Sequence, residues 1–319
     1  MDKYTDLALE AHGLAVERTG GEISGVDLQE QTTDNAVITR IEIMDDNGAR
    51  SMGKPPGNYI TIESQGLKGQ NRLIHNELTE ILAGELAPLL NYRSQDAITF
   101  VVGLGNWNTT PDALGPSIMN HLMVTRHLYD QSPPEVRQGM RSVCALSPGV
   151  LGLTGIETAE IIRGVVDKVK PDLIIAIDSL AARSISRLGQ TIQLSNTGIY
   201  PGSGIGKNRL GINHETMDIP VIAIGVPTVV DAATIVSDSL ESLLKGNIFS
   251  RAEQYRFSNV PEQELEKNIR QILSSDIGSL IVSPKGVDEL IKDVSKIIAG
   301  GINVAIHPDI TSENLSLYL

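Results

Sequence analysis

The stretch Leu173-Ile-Ile-Ala-Ile177 is apolar without interruption and runs straight into a carboxylate, Asp178. A strand that hides one face alternates apolar with polar residues. A strand covered on both faces has no such alternation, and this is what a parallel sheet with helices on either side demands. The runs Ile98-Thr-Phe-Val-Val102, Val143-Cys-Ala-Leu146 and Val221-Ile-Ala-Ile224 read the same way. Between and after them, segments near 117–130, 156–169, 179–187 and 231–245 carry helical character. Strand, helix, strand in repetition predicts an α/β protein with a doubly covered, mostly parallel sheet.

Outward from this centre the pattern changes. Ala36 to Met44 alternates as a β-strand does, and Asn58-Tyr-Ile-Thr-Ile-Glu63 does so again. The two are close enough in sequence to pair, as a small extra β element beside the main fold. Leu73, Ile74, Leu78, Ile81, Leu82, Leu86 and Leu89 share a helical period, which predicts a helix over 71–92. Thr191-Ile-Gln-Leu194 suits an edge strand. Residues 246–276 are polar and read as an insertion with a charged helix near 261–274. Leu280-Ile-Val282, a helix from Lys285 to Ala299 and a tail packing back over 300–306 complete the chain, with no internal repeat.

Composition bounds the function. With 319 residues, 41% hydrophobic and 20% charged, the chain suits one large globular domain; aromatics at 3% leave the core to Ile, Leu, Val and Ala. The net charge of −13 argues against direct binding to nucleic acid or anionic lipid, which needs Lys and Arg. Cys144 is the single cysteine, so no intrachain disulfide forms; its apolar setting suits a buried strand better than a nucleophile. The opening residues are polar and no apolar run nears the ~20 residues of a membrane span. A cytoplasmic protein is expected.

Two carboxylates stand where chemistry collects in such sheets, beyond the carboxyl ends of strands. Asp112 follows the first strand through the loop Gly103-Leu-Gly-Asn-Trp-Asn-Thr-Thr-Pro-Asp112, and Asp178 ends the third. Helix capping is the competing role for each. Brought into one crevice, such a pair shares a proton. The ionised member takes a proton from water, and the protonated one polarises a carbonyl or feeds a leaving amine. Asn106 is a candidate oxyanion donor, and Asp231 a third carboxylate for the same edge, with capping the stronger reading for Asp231. Rival chemistries are weaker. Gly103-Leu-Gly105 lacks the rest of a nucleotide loop, no nucleophile elbow surrounds a serine, and the histidines show no paired metal spacing. The loop 198–206 is Gly-rich, like an anion nest or a lid.

These strings form a recognisable set. Val101-Val-Gly-Leu-Gly-Asn106, Thr110-Pro-Asp-Ala-Leu-Gly-Pro116, Ile174-Ile-Ala-Ile-Asp178, Ala181-Ala-Arg-Ser184, His214-Glu-Thr216 and Pro227-Thr-Val-Val-Asp-Ala232 resemble the germination proteases of spore-forming bacteria, most densely over 98–232. The resemblance implies a three-layer α/β/α sandwich similar to hydrogenase maturation proteases. It implies an atypical aspartic endopeptidase, homotetrameric and without cofactor or metal, that degrades small acid-soluble spore proteins. The family's essential aspartates fall on Asp112 and Asp178. The family is also made as a zymogen and cuts after an acidic residue in a Thr-Glu-Ile/Phe-Ala-like motif. Thr5-Asp6-Leu7-Ala8 is similar, which implies self-cleavage between Asp6 and Leu7, a propeptide of 1–6 and a peptidase domain of 7–319. Two readings compete: a metallopeptidase using Asp112, Asp178 and His127 or Asp231, and a non-enzymatic binder of spore proteins.

Overall fold

In the computed structural model, residues 5–129, 131, 133, 139–200, 210–245, 268–269, 271 and 280–314 are described. Most of the polar insertion at 246–276 with its helix near 261–274, most of the 198–206 loop and the start of the propeptide lie outside them.

One mixed sheet organises these residues, in the order β1-β2-β3-β7-β8-β6-β4-β5. The strands are β1 (Val26–Thr32), β2 (Val37–Ile43), β3 (Gly57–Glu63), β4 (Ile98–Gly103), β5 (Ser142–Leu146), β6 (Leu173–Ala182), β7 (Thr191–Ser195), β8 (Val221–Asp231) and the short β9 (Ile281–Val282). The apolar runs β8, β6, β4 and β5 lie parallel, as their lack of alternation requires. The β1-β2-β3 meander is antiparallel. It does not stand apart as a separate small sheet, because β3 pairs with β7 and β7 with β8. Thr191–Ser195 is therefore an interior strand rather than an edge, and all five of its residues are buried.

Helices cover both faces. They are α1 (Ala8–Thr19), α2 (Asp46–Met52), α3 (Arg72–Leu90), α4 (Leu114–Ile118), α5 (Arg126–Tyr129), α6 (Leu151–Thr154), α7 (Thr158–Val169), α8 (His214–Met217), α9 (Ala232–Lys245) and α10 (Val287–Ile306). On one face Ile175, Ile177, Ile222 and Ile224 pack against Leu78, Leu82 and Leu86 of α3 and Val294, Ile298 and Ile302 of α10. On the other, Phe100, Val102, Ile174 and Ala176 meet Ala159, Ile162 and Val166 of α7. There too Ile41, Ile43 and Tyr59 of the meander receive Ala8, Ala11 and Ala15 of α1. The odd and even residues of β6 thus feed two different cores, and the result is a three-layer α/β/α sandwich.

Three further expectations change. The helix over 179–187 is instead the continuation of β6 to Ala182, followed by a single turn at Ile185–Arg187. Ser179-Leu-Ala-Ala is locally helix-prone, but pairing with β8 continues through Ser179↔Val226 to Ala182↔Val230 around a bulge at Leu180/Ala181, and tertiary pairing prevails over propensity. The helix near 117–130 is broken into α4, a turn at Met119–His121 and α5. The tail beyond Ala299 does pack on the fold, but as a continuation of α10 to Ile306 rather than as a separate segment. Gly301 lets this helix approach α3, since a Cβ there would stand 2.7 Å from Leu82 Cδ2.

Candidate active site

β4 and β6 run side by side with Gly103 opposite Ile177. The Leu104 N–H donates to the Ile177 carbonyl at 2.8 Å, and the chains then part. β4 ends at Gly103, whereas β6 continues through Asp178 to Ala182. Adjacent strands lie about 4.8 Å apart.

The loop after Leu104 brings Asp112 back to this point. Asn106 N–H donates to the Asp112 carbonyl at 2.9 Å, and Asp112 N–H to Thr109 O at 2.8 Å. Thr110–Asp112 forms a single 3-10 turn begun by Pro111. The hydroxyl of buried Thr228, on β8, donates to the Pro111 carbonyl at 2.7 Å, tying the turn to the far neighbour of β6. Gly105 makes the return possible. Its φ is +113°, and a Cβ there would lie 2.0 Å from the Asp112 carbonyl oxygen and 3.2 Å from its Oδ1. Asp112 is half-buried, and the N-cap position of α4 falls one residue later, on Ala113.

Asp178 is buried, and its Oδ1 accepts the Ser179 N–H at 2.8 Å. It lies inside β6, opposite Gly225 of β8, not at a strand end. No helix follows it, so the capping role falls away. By alternation its side chain takes the face of Ile174 and Ala176.

The other candidates lie differently. Asn106 is engaged within its own loop, accepting from Asn108 N–H at 3.0 Å and donating to Thr109 Oγ1 at 3.3 Å. Asp231 accepts Ala233 N–H at 2.8 Å at the start of α9. It stands six residues beyond Gly225 along β8, roughly 20 Å at strand rise, so the sheet does not bring it to Asp178. His127 is exposed on α5. Among the described residues no group of three or more His, Cys, Asp or Glu is gathered to hold a metal ion. Cys144 sits half-buried in β5, and burial pushes its thiol up from the usual value, with Arg126 a lesser opposing influence.

The N-terminal segment occupies the free edge of β6 beyond Asp178. Asp6 N–H donates to Ala181 O at 3.2 Å, and Ala181 N–H to Asp6 Oδ2 at 2.8 Å. The Asp6 carbonyl accepts from Lys54 Nζ at 3.0 Å and from Gln193 Nε2 at 3.2 Å; the same Gln193 accepts Ala8 N–H at 2.6 Å. Lys54 Nζ also reaches Thr5 O at 3.3 Å. Leu7 is fully buried among the side chains around Leu180 and Ala182. Glu10 takes Arg183 N–H and Ser184 N–H, each at 2.8 Å, and pairs with the Thr5 hydroxyl. Burial lowers the Lys54 ammonium, against the pull of Asp6 and Glu10. No sequence pattern singles out Lys54, Gln193 or Thr228. Each works through a backbone group that only the fold brings near.

A family model described as germination protease matches residues 5–255 and 255–319. A germination protease of Caldanaerobacter subterraneus subsp. tengcongensis is 48% identical over 319 residues, covering 99% of this chain and 97% of that protein. One from Clostridium tetani is 45% identical over the full length of both. One from Bacillus thuringiensis subsp. konkukian is 41% identical over 360 positions, covering 100% of this chain and 98% of that protein. With the sandwich and its carboxylate-bearing edge, these matches define a peptidase on a mixed α/β sheet. The chain belongs to the germination protease family.

Proposed function

We propose that this chain is an aspartic endopeptidase of the spore core that begins the degradation of small acid-soluble spore proteins at germination, with Asp112 and Asp178 as its catalytic pair. The observation that carries the reading is the convergence at the end of β4. Leu104 N–H is bonded to Ile177 O, and the loop that follows folds back to set Asp112 over Gly105 beside the chain that carries Asp178. One carboxylate takes a proton from the attacking water while the other, protonated, polarises the scissile carbonyl. The pair titrates as a unit.

The chain is further a self-processing zymogen cut between Asp6 and Leu7, and it assembles as a homotetramer. Support for the first is the Thr5-Asp6-Leu7-Ala8 string, held on the strand that bears Asp178. Support for the second is the family resemblance.

The test is cleavage of a small acid-soluble spore protein by Asp112→Asn and Asp178→Asn. Each is expected to lower kcat/KM by about 10²–10⁴-fold, with unfolding midpoints near the parent's, because an amide Oδ1 still accepts the Ser179 N–H. Normal cutting by both variants refutes the pair. Loss of activity with a chelator, restored by a divalent ion, would assign the carboxylates to a metal instead.

A further inference from the structure

Ser179 is engaged through its main chain and idle through its side chain. Its N–H donates to Asp178 Oδ1 at 2.8 Å. Its hydroxyl oxygen is buried and has no hydrogen-bond partner among the described residues. A hydroxyl in that state costs stability, because it has left water and gained no bond in return. The described residues hold five such hydroxyls, on Thr61, Ser147, Ser179, Thr191 and Ser283. Of these, only Ser179 adjoins one of the two aspartates in the chain.

Side chains alternate along a strand, so Ser179 takes the face of Ile175 and Ile177, opposite to that of Asp178. Its partner on β8, Val226, is buried in the same core. The Asp112 turn lies on this face as well. Thr110–Asp112 packs against β6, β8 and α10, and the helix that follows it, α4, sends Leu114 and Ile118 into that core. Register brings turn and serine to one level. Gly103 is opposite Ile177, and the same register continued for two residues sets Gly105 against Ser179. Asp112 Oδ1 lies over Gly105, 3.2 Å from where a Cβ would stand. Adjacent strands are about 4.8 Å apart. Because β4 ends at Gly103, no strand of the sheet separates the turn from this part of β6.

We propose that Ser179 is the positioning residue of the aspartate pair: its N–H holds Asp178, and its hydroxyl donates to the Asp112 carboxylate when the turn settles on β6. The inference rests on the reading of Asp112 and Asp178 as the catalytic pair and deepens it. One residue then fixes both carboxylates, one from its main chain and one from its side chain. The hydroxyl is the donor and the carboxylate the acceptor, a charge-assisted bond of the stronger kind. The bond that the hydroxyl lacks is made only when the pair is assembled for cleavage. The serine acts through the aspartates and forms no covalent bond to the substrate.

The experiment measures kcat, KM and urea unfolding for the parent, Ser179→Ala, Ser179→Thr, Asp112→Asn and the double variant Ser179→Ala/Asp112→Asn. The substrate is a small acid-soluble spore protein, and the chains are compared with the same N-terminus, read by intact mass. Ser179→Ala should lower kcat by about 10–150-fold, the worth of a hydrogen bond to a charged group, and leave KM unchanged. Its urea midpoint should match the parent's or rise, because the hydroxyl removed had no partner. Ser179→Thr keeps the donor and should keep most of the rate. In the Asp112→Asn background Ser179→Ala should add little further loss, since the charged acceptor is already gone. A parental kcat for Ser179→Ala overturns the proposal, and so does a threonine variant as slow as the alanine one. An equal loss with and without Asp112→Asn also overturns it, because the serine would then act apart from that aspartate. Parental cutting by Asp112→Asn is the separate result that removes the catalytic pair itself, and this proposal with it.

Discussion

Replacing Gly105 by alanine tests the geometry at its tightest point. The new Cβ would sit 2.0 Å from the Asp112 carbonyl oxygen. Ordinary contact begins near 3.5 Å, so the Asp112 turn must retreat by roughly 1.5 Å, or Gly105 must leave its φ. Holding alanine at φ +113° costs about 1–3 kcal/mol. Retreat breaks the Asn106 N–H bond to Asp112, worth about 1 kcal/mol more. Stability should therefore fall by about 2–4 kcal/mol in urea unfolding, within reach of a chain this size. The effect on rate is the sharper readout. A misplacement of about 1 Å in a reacting group costs about 10²-fold, so kcat/KM on a spore-protein substrate should fall that far under conditions where both proteins are folded. A variant that loses the expected stability yet cuts at the parental rate would refute the reasoning, because the position of Asp112 would then not matter to cleavage.

Further outcomes follow from neighbouring features. Thr228→Val keeps the shape but removes the donor to Pro111 O, and should cost about 1–3 kcal/mol in unfolding while slowing cleavage through a looser Asp112 turn. Parental rates for this variant would mean that the tie to β8 is dispensable. His307 is buried, and burial lowers its pKa from 6.5 to about 4 while its Nδ1 accepts Arg141 N–H. The unfolded chain thus binds this proton more readily. Its contribution is present above pH 6.5 and is lost as pH falls toward 4, by about 3 kcal/mol. Urea midpoints of His307→Gln should lack this part of the pH dependence, and parallel curves for parent and variant would exclude His307 as its source. Gly301→Val should crowd Leu82 and part α10 from α3 at a cost of about 1–3 kcal/mol, with an unchanged denaturant slope.

The parallel half of the sheet was legible because its four apolar runs leave no polar face. The meander strands were legible through alternation, but not their attachment. Nothing in Thr191-Ile-Gln-Leu194 says that β3 will pair on one side and β8 on the other. β1 was missed because Val26–Thr32 is polar and mostly exposed, so it carries no burial pattern to read. Extension of β6 past Asp178 was hidden for a different reason: Leu-Ala-Ala favours a helix locally, and its strand partner lies more than forty residues away. Asp112 and Asp178 stand out as candidates in the sequence because each comes after an apolar run. The contacts that place them do not, because Thr228 meets Pro111 and Lys54 meets Asp6 only through carbonyl oxygens that every residue owns.

The two aspartates are mounted on unequal supports. Asp178 stands on an anvil, a strand flanked by β4 and β8 with buried residues on both sides of the sheet. Asp112 is carried on a hammer, one short turn latched by Thr228 and folded over a single glycine. Of the two supports, only the Asp112 turn can shift without breaking strand pairing, and the Thr228 latch is where such a shift would begin.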